Sequence, residues 1–168
     1  MTFSEIKQFT RSSSWCCSYS LEQLVRCIKD WVENDGLQLN PDFQRGHVWT
    51  EEQQIAFIEF FLRGGQSGLE LYFNQPGWMS DFSGDFVCVD GLQRITAIQK
   101  FIKNEIKAFG QYYSEFGGKT SILGHTMNVH VNNLKTKNEV LTWYIEMNSG
   151  GTVHSDEEIE RVKGMISD

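Results

Sequence analysis

Between residues 20 and 34 apolar side chains recur at Leu21, Leu24, Val25, Ile28 and Trp31, the spacing of one buried helix face. Ser20 and Gln23 supply a capping box at its start, and Asn34-Asp35-Gly36 supplies a stop. Residues 37 to 48 lose the period, and Pro41 biases Asn40 away from helix, so this segment reads as irregular or extended. A second helix is predicted from Thr50, capped with Gln53 and burying Ile55, Ile58, Phe61 and Leu62 before Gly64-Gly65 ends it. LELYF at 69 to 73 and FVCVD at 86 to 90 read as strands, joined through the turn-rich NQPGWMSDFSG as a hairpin with a long connection. Helix three follows from about Leu92, with Ile95, Ile98, Phe101 and Ile102 facing the core.

The pattern weakens over IKAF, SEFGGKTSILG and TMNVHV, which read as short strands or loops. It returns at Thr136, where Thr136 and Glu139 cap a helix carrying Val140, Trp143, Tyr144 and Met147 and ending at Asn148-Ser149-Gly150-Gly151. A last helix is expected from Ser155, with Glu158 in its capping box and Ile159, Val162 and Ile166 buried. Helices alternating with few short strands, and no internal repeat, place the chain in a compact α+β class. Residues 1–19 are expected to be an N-terminal extension and 20–168 a single domain.

Composition supports a packed core: of 168 residues 40% are hydrophobic and 13% aromatic, and only two are proline. No apolar run is long enough to span a bilayer or to serve as a secretory signal, so a cytoplasmic protein without a membrane partner is expected. Cys16, Cys17, Cys27 and Cys88 form no C-x-x-C pair, and the four histidines, His47, His125, His130 and His154, form no metal-binding pair. A formal net charge of -7 argues against coating nucleic acid through many phosphate contacts, so DNA binding is expected to be weak and salt-dependent.

Three polar clusters fall at element junctions: Phe43-Gln44-Arg45, Asp90-Gly91-Leu92-Gln93-Arg94, and Asn148-Ser149-Gly150-Gly151. A helix start offers unpaired N–H groups and the positive end of a dipole, and Gly91 permits close approach, so a phosphate would be held well there with Arg94 adding a bidentate grip. Asp90 would repel that phosphate unless it binds a divalent ion, anchors Arg94, or accepts from a ribose or water. The plainer alternative is that Asp90 caps helix three and pairs with Arg45 or Arg94. Each cluster alone is ambiguous.

Taken in order, PDFQRGHVWTEEQ, VDGLQRITAI and YIEMNSGGTVHSDEE resemble the N-terminal domain of GmrSD-type restriction systems, the DGQQR-motif family of the ParB/sulfiredoxin-like superfamily. The resemblance spans roughly residues 20 to 165 and implies a small mixed sheet flanked by helices. It also implies a pocket that binds and hydrolyses a nucleoside triphosphate, Mg2+-dependent, within restriction, phage defence or counter-defence. Carried over, Phe43, Gln44, Arg45, Gly91, Arg94, Thr96, Asn148, Gly150 and Gly151 would surround the nucleotide. Arg45 and Arg94 would contact phosphates, Gln93 would orient phosphate or water, and Asp90 would hold the magnesium or organise the arginines, making Asp90, Gln93 and Arg94 the catalytic set. Leu92 stands where the family usually has its first Gln, which implies reduced hydrolysis with binding retained. The larger relatives carry an HNH-type nuclease region that these residues lack. The competing expectations are a non-catalytic regulatory or counter-defence protein that senses a nucleotide or binds a host or phage protein, and a DNA-binding or DNA-cleaving ParB-like protein.

Overall fold

The computed structural model describes residues 1–6, 15–44, 46, 48–118, 124–149 and 156–166. Four strands form one mixed sheet: β1 (Trp15–Ser20), β2 (Glu70–Asn74), β3 (Val87–Asp90) and β4 (Thr126–Asn132), in the order β1-β4-β2-β3. β4 runs antiparallel to β1 and parallel to β2, and β2 runs antiparallel to β3, so the expected hairpin of residues 69 to 90 is present. A bulge between Tyr72 and Phe73 shifts the register at the end of that hairpin, the kind of irregularity that re-aims a side chain where pairing stops.

Among the described residues five α-helices accompany the sheet: α1 (Leu21–Asn34), α2 (Glu51–Leu62), α3 (Leu92–Ile102), α4 (Lys137–Ser149) and α5 (Asp156–Lys163). Their starts follow the side chains that close them. Gln23 Oε1 accepts from Ser20 N–H at 3.2 Å, Gln53 Oε1 from Thr50 N–H at 2.9 Å, and Glu139 Oε2 from Thr136 N–H at 3.0 Å. Residues 108 to 111 contribute only an isolated bridge, and among the described residues of the weakly patterned middle only TMNVHV lies in a ladder strand.

Strand alternation divides the apolar side chains between the two faces of the sheet. Leu71, Phe73, Cys88, Met127, Val129 and Val131 face the main core, where they meet Leu24 and Ile28 of α1, Ile58 and Phe61 of α2, and Ile95, Ile98 and Phe101 of α3, all 2% exposed or less. On the opposite face Val87 and Val89 of β3 pack with Val140, Leu141, Tyr144 and Ile145 of α4 and Val162 of α5. That second layer sits over the β3 end and leaves the β4 and β1 end of the same face to polar side chains.

Every strand interior must place its peptide groups, and β3 has an open edge. Gln38 closes part of it: its N–H donates to Phe86 O at 2.8 Å and its carbonyl accepts from Cys88 N–H at 2.9 Å. Among the described residues no helix is long and apolar enough to cross a membrane, and Cys16, Cys17, Cys27 and Cys88 are free thiols.

Candidate functional site

β3 delivers Asp90 to the end of the sheet, the chain turns at Gly91, and α3 begins with Arg94 on its first turn. The turn demands glycine twice over, since Gly91 has φ +128° and a Cβ there would lie 2.5 Å from Leu71 Cδ2. Arg94 Nη2 donates to Asp90 Oδ2 at 2.6 Å, and Arg94 Nη1 donates to Gly68 O at 3.2 Å. The guanidinium is therefore held from two sides, with its side chain 15% exposed against 39% for Asp90. Asp90 anchors Arg94 and does not cap α3: the cap position is Gly91, which has no side chain to close the helix. α1, α2 and α4 are each closed by reciprocal bonds, whereas α3 has no cap side chain and its Leu92 N–H meets the buried Cys88 thiol, beside an immobilised guanidinium.

The two glutamines expected beside the nucleotide have other occupations. Gln93 Oε1 accepts from Val48 N–H and Trp49 N–H, each at 3.0 Å, while its Nε2 donates to Gly46 O at 2.8 Å. The side chain thus ties the segment before α2 to the first turn of α3. Gln44 Nε2 donates to Cys88 O at 3.0 Å and Val89 O at 2.9 Å, completing the cover on the edge of β3 that Gln38 begins. Phe43 is 3% exposed and packs edge-on to Tyr144 at 5.3 Å, in the second core layer. Its outer side lines a cavity of about 590 Å³ with Asp42, Asn74, Val87 and Lys137, away from Asp90 and Arg94.

Thr96 turns its hydroxyl to Leu92 O at 2.8 Å, and Asn148 Nδ2 donates to Tyr144 O at 2.7 Å, each one turn back on its own helix. Leu92 is 8% exposed, a buried contact of α3. Arg45, Gly150 and Gly151 lie outside the described residues. The sequence-derived set therefore converges at Asp90, Gly91 and Arg94; Gln44 and Gln93 serve as backbone clamps around that turn, and Phe43 and Asn148 sit on the α4 side.

A second group of side chains, not anticipated from sequence, adjoins Arg94 on the open half of the sheet. Ser18 Oγ donates to Asn128 Oδ1 at 2.7 Å, and Asn128 Nδ2 donates to Glu70 Oε1 at 2.7 Å. The other Glu70 oxygen, Oε2, is in contact with His130 Nε2. Tyr72 stacks on the His130 ring, with centroids 4.8 Å apart and planes 17° from parallel, and Trp143 meets Tyr72 edge-on at 5.9 Å. Cys16 Sγ lies 3.9 Å from His130 Nε2. Alternation of Met127, Val129 and Val131 with Asn128 and His130 was the available signal, but it shows only that the polar pair shares a face, not what faces it.

Burial alone would raise the Glu70 carboxyl, but hydrogen bonds from Asn128 and His130 and the charge of Arg94 outweigh it and hold the group below the usual range. The Cys16 thiol is pushed up by burial and by Glu70, which makes it a poor nucleophile. Tyr72 is raised by burial and then by the carboxylates of Glu70 and Asp90. A carboxyl with a depressed folded pKa stabilises above its unfolded pKa, and that contribution is lost as pH falls through the folded value. Glu70→Gln is therefore expected to cost less than about 1 kcal/mol at pH 7, the side chain being partly exposed. In urea unfolding compared across pH, the difference from the parent should shrink below about pH 4; a constant difference would show that it comes from packing.

Among the described residues no three metal-ligating side chains converge. Asp90 alone, with one oxygen outside the ion pair, fits magnesium only as the single protein ligand of an ion that arrives with phosphates and water, the ordinary habit of that metal. A phosphate there would meet Arg94 and the uncapped start of α3, where Gly91 and Leu92 are buried.

A mixed sheet with helices on both faces and an arginine-bearing turn between β3 and α3 define an α+β domain. The family described as GmrSD restriction endonuclease, N-terminal domain, matches residues 28–126, more than half of the chain, and the protein belongs to that family. The match contains Phe43 to Arg45 and Asp90 to Arg94 but stops short of the helix carrying Asn148. No curated protein and no solved structure gives a significant match.

Proposed function

We propose that this domain, a member of a restriction-endonuclease family, binds a nucleoside triphosphate by its phosphates at the start of α3 and hydrolyses it in the service of restriction or phage defence. One observation carries the reading: Arg94 is locked by Asp90 and Gly68 O beside a helix start that has no side-chain cap. Phosphate oxygens would take the N–H groups of the first turn and the free edge of the guanidinium. Asp90 sets the guanidinium in place, and bound magnesium would neutralise part of the phosphate charge. Gln93 contributes by fixing Gly46, Val48 and Trp49 near the turn, and Gln44 by holding the β3 edge. Assignment to the ParB/sulfiredoxin-like superfamily is part of this reading and is supported by the small sheet flanked by helices.

Leu92 favours a second reading, nucleotide sensing without turnover, because it is buried and brings no carboxamide to the site. Titration calorimetry with ATP, GTP, CTP and UTP, with and without Mg2+, run beside a phosphate-release assay, separates the two. Arg94→Ala is expected to weaken nucleotide binding by about 10- to 100-fold, the loss of one or two charge-assisted bonds. Arg94→Lys should recover only part of it, because an ammonium cannot keep both the Asp90 and Gly68 bonds and a bidentate phosphate contact. Unchanged affinity in Arg94→Ala would sink the proposal.

A further inference from the structure

We infer that the glycine-rich loop of residues 64 to 68 is the second wall of the phosphate site, with the N–H groups of Gln66, Ser67 and Gly68 holding the phosphate next to the one on Arg94. The site therefore takes a polyphosphate chain in preference to a lone phosphate; the inference rests on the nucleotide reading above. Contact between loop and guanidinium is direct. Gly68 O accepts from Arg94 Nη1 at 3.2 Å, and a Cβ at Gly68 would stand 3.8 Å from the same nitrogen. Gly68 has φ +70°, left-handed backbone that favours glycine, and puts no side chain of its own between the main chain and the arginine. Gly68 engages one hydrogen of Arg94 Nη1 and Asp90 one of Nη2, so each terminal nitrogen keeps a hydrogen for phosphate oxygen.

Main-chain donors are in surplus beside it. Among the described residues the N–H groups of Gln66, Ser67 and Gly68 have no hydrogen-bond partner, and all three residues are exposed. The turn between β2 and β3 is the contrast, since the N–H groups of Gly77, Trp78, Ser80, Phe82 and Ser83 are all taken within the turn. Successive N–H groups in a turn that have no internal acceptor form a concavity suited to an anion. The start of α3 cannot supply every donor that a phosphate chain needs, because Gly91 and Leu92 are buried and the Leu92 N–H meets the Cys88 thiol.

Charge agrees with this use. Residues 63 to 69 carry Arg63 and no carboxylate, in a chain whose formal net charge is -7. The two carboxylates nearest Arg94 are both engaged, Asp90 by Arg94 itself and Glu70 by Asn128 and His130. Length selects the polyphosphate. Two steps along the main chain, from Gln66 to Gly68, cover up to about 7 Å, more than a single tetrahedral phosphate can bridge while it also holds Arg94. One phosphate on the guanidinium and its neighbour on the loop amides is the arrangement that uses all of these donors.

The test titrates the parent protein with inorganic tripolyphosphate, orthophosphate and the four nucleoside triphosphates while proton–nitrogen NMR follows the main-chain amides. Tripolyphosphate should bind at least about 10-fold more tightly than orthophosphate, move the amide signals of Gln66, Ser67 and Gly68 downfield and slow their exchange with water. Ser67 is not among the left-handed residues, so proline can be tried there to remove one N–H. Ser67→Pro should weaken tripolyphosphate binding by about 10-fold, whereas Ser67→Ala, which keeps the N–H, should stay within about twofold. Urea unfolding checks that the proline is tolerated; if it is not, the amide shifts of the parent decide the matter alone. Equal losses in Ser67→Pro and Ser67→Ala would assign the contact to the hydroxyl and overturn the main-chain assignment. Arg94-dependent nucleotide binding that leaves the three amides unmoved, or orthophosphate held as tightly as tripolyphosphate, overturns the inference and leaves the nucleotide reading intact. Absence of Arg94-dependent binding to tripolyphosphate and to every nucleotide overturns both.

Discussion

Gly91→Ala is expected to lower the unfolding free energy by about 3 kcal/mol, through two costs of about 1 to 3 kcal/mol each, one for backbone and one for packing. At φ +128° an L side chain is strained whatever space surrounds it. The new Cβ would also stand 2.5 Å from Leu71 Cδ2, and Leu71 is fully buried in the main core, so it has no vacant direction in which to retreat. The urea midpoint should fall with an unchanged slope, because the native and unfolded surfaces are otherwise the same. A loss under about 1 kcal/mol would mean that the turn relaxes away from β2. In that case Asp90 and Arg94 should also part from their present geometry, and nucleotide binding should weaken in the same variant.

The second large effect is expected at Asn74, 1% exposed at the end of β2. Its amide extends the ladder where strand pairing ends: Nδ2 donates to Leu134 O at 3.1 Å and Oδ1 accepts from Leu134 N–H at 2.8 Å. Asn74→Asp keeps the size and the acceptor but sets a buried carboxylate against a carbonyl. The cost at pH 7 should be about 3 kcal/mol or more, combining a lost donor with desolvation of a charge. Because burial raises the folded pKa of the new carboxyl, stability should be recovered below the unfolded pKa of about 4, where the protonated acid can donate again, and lost as pH rises. Equal unfolding curves for parent and variant at pH 7 would show that the Leu134 backbone finds other partners.

The helices were legible because their signals are local. Ser20 with Gln23, Thr50 with Gln53 and Thr136 with Glu139 each mark a start within four residues, and the structure closes each helix as the spacing requires. The β2–β3 hairpin was legible from two β-branched or aromatic runs around a turn-rich loop, and with it the Asp90-to-Arg94 turn. β1 was not, since Trp-Cys-Cys-Ser-Tyr-Ser has only alternating exposure and its partner β4 lies more than a hundred residues away in sequence. Distance in sequence also hid the duties of Gln44 and Gln93, whose partners are backbone atoms about 44 to 47 positions distant. The Glu70, Asn128 and His130 group was hidden for the same reason, being assembled by the register of β2 against β4.

The placement of β4 between β1 and β2 also governs the order in which the chain can fold. The β2–β3 hairpin and α3 involve only neighbouring segments and can form early, whereas the central strand must be drawn in from residues 126 to 132 after both of its partners exist. During synthesis β1 and β2 therefore wait with unpaired edges, and closure of the long loop between β1 and β4 sets the pace. The polar face that carries Glu70 and His130 comes into being only at that last step, so any activity that depends on it should appear with completion of the sheet and not before.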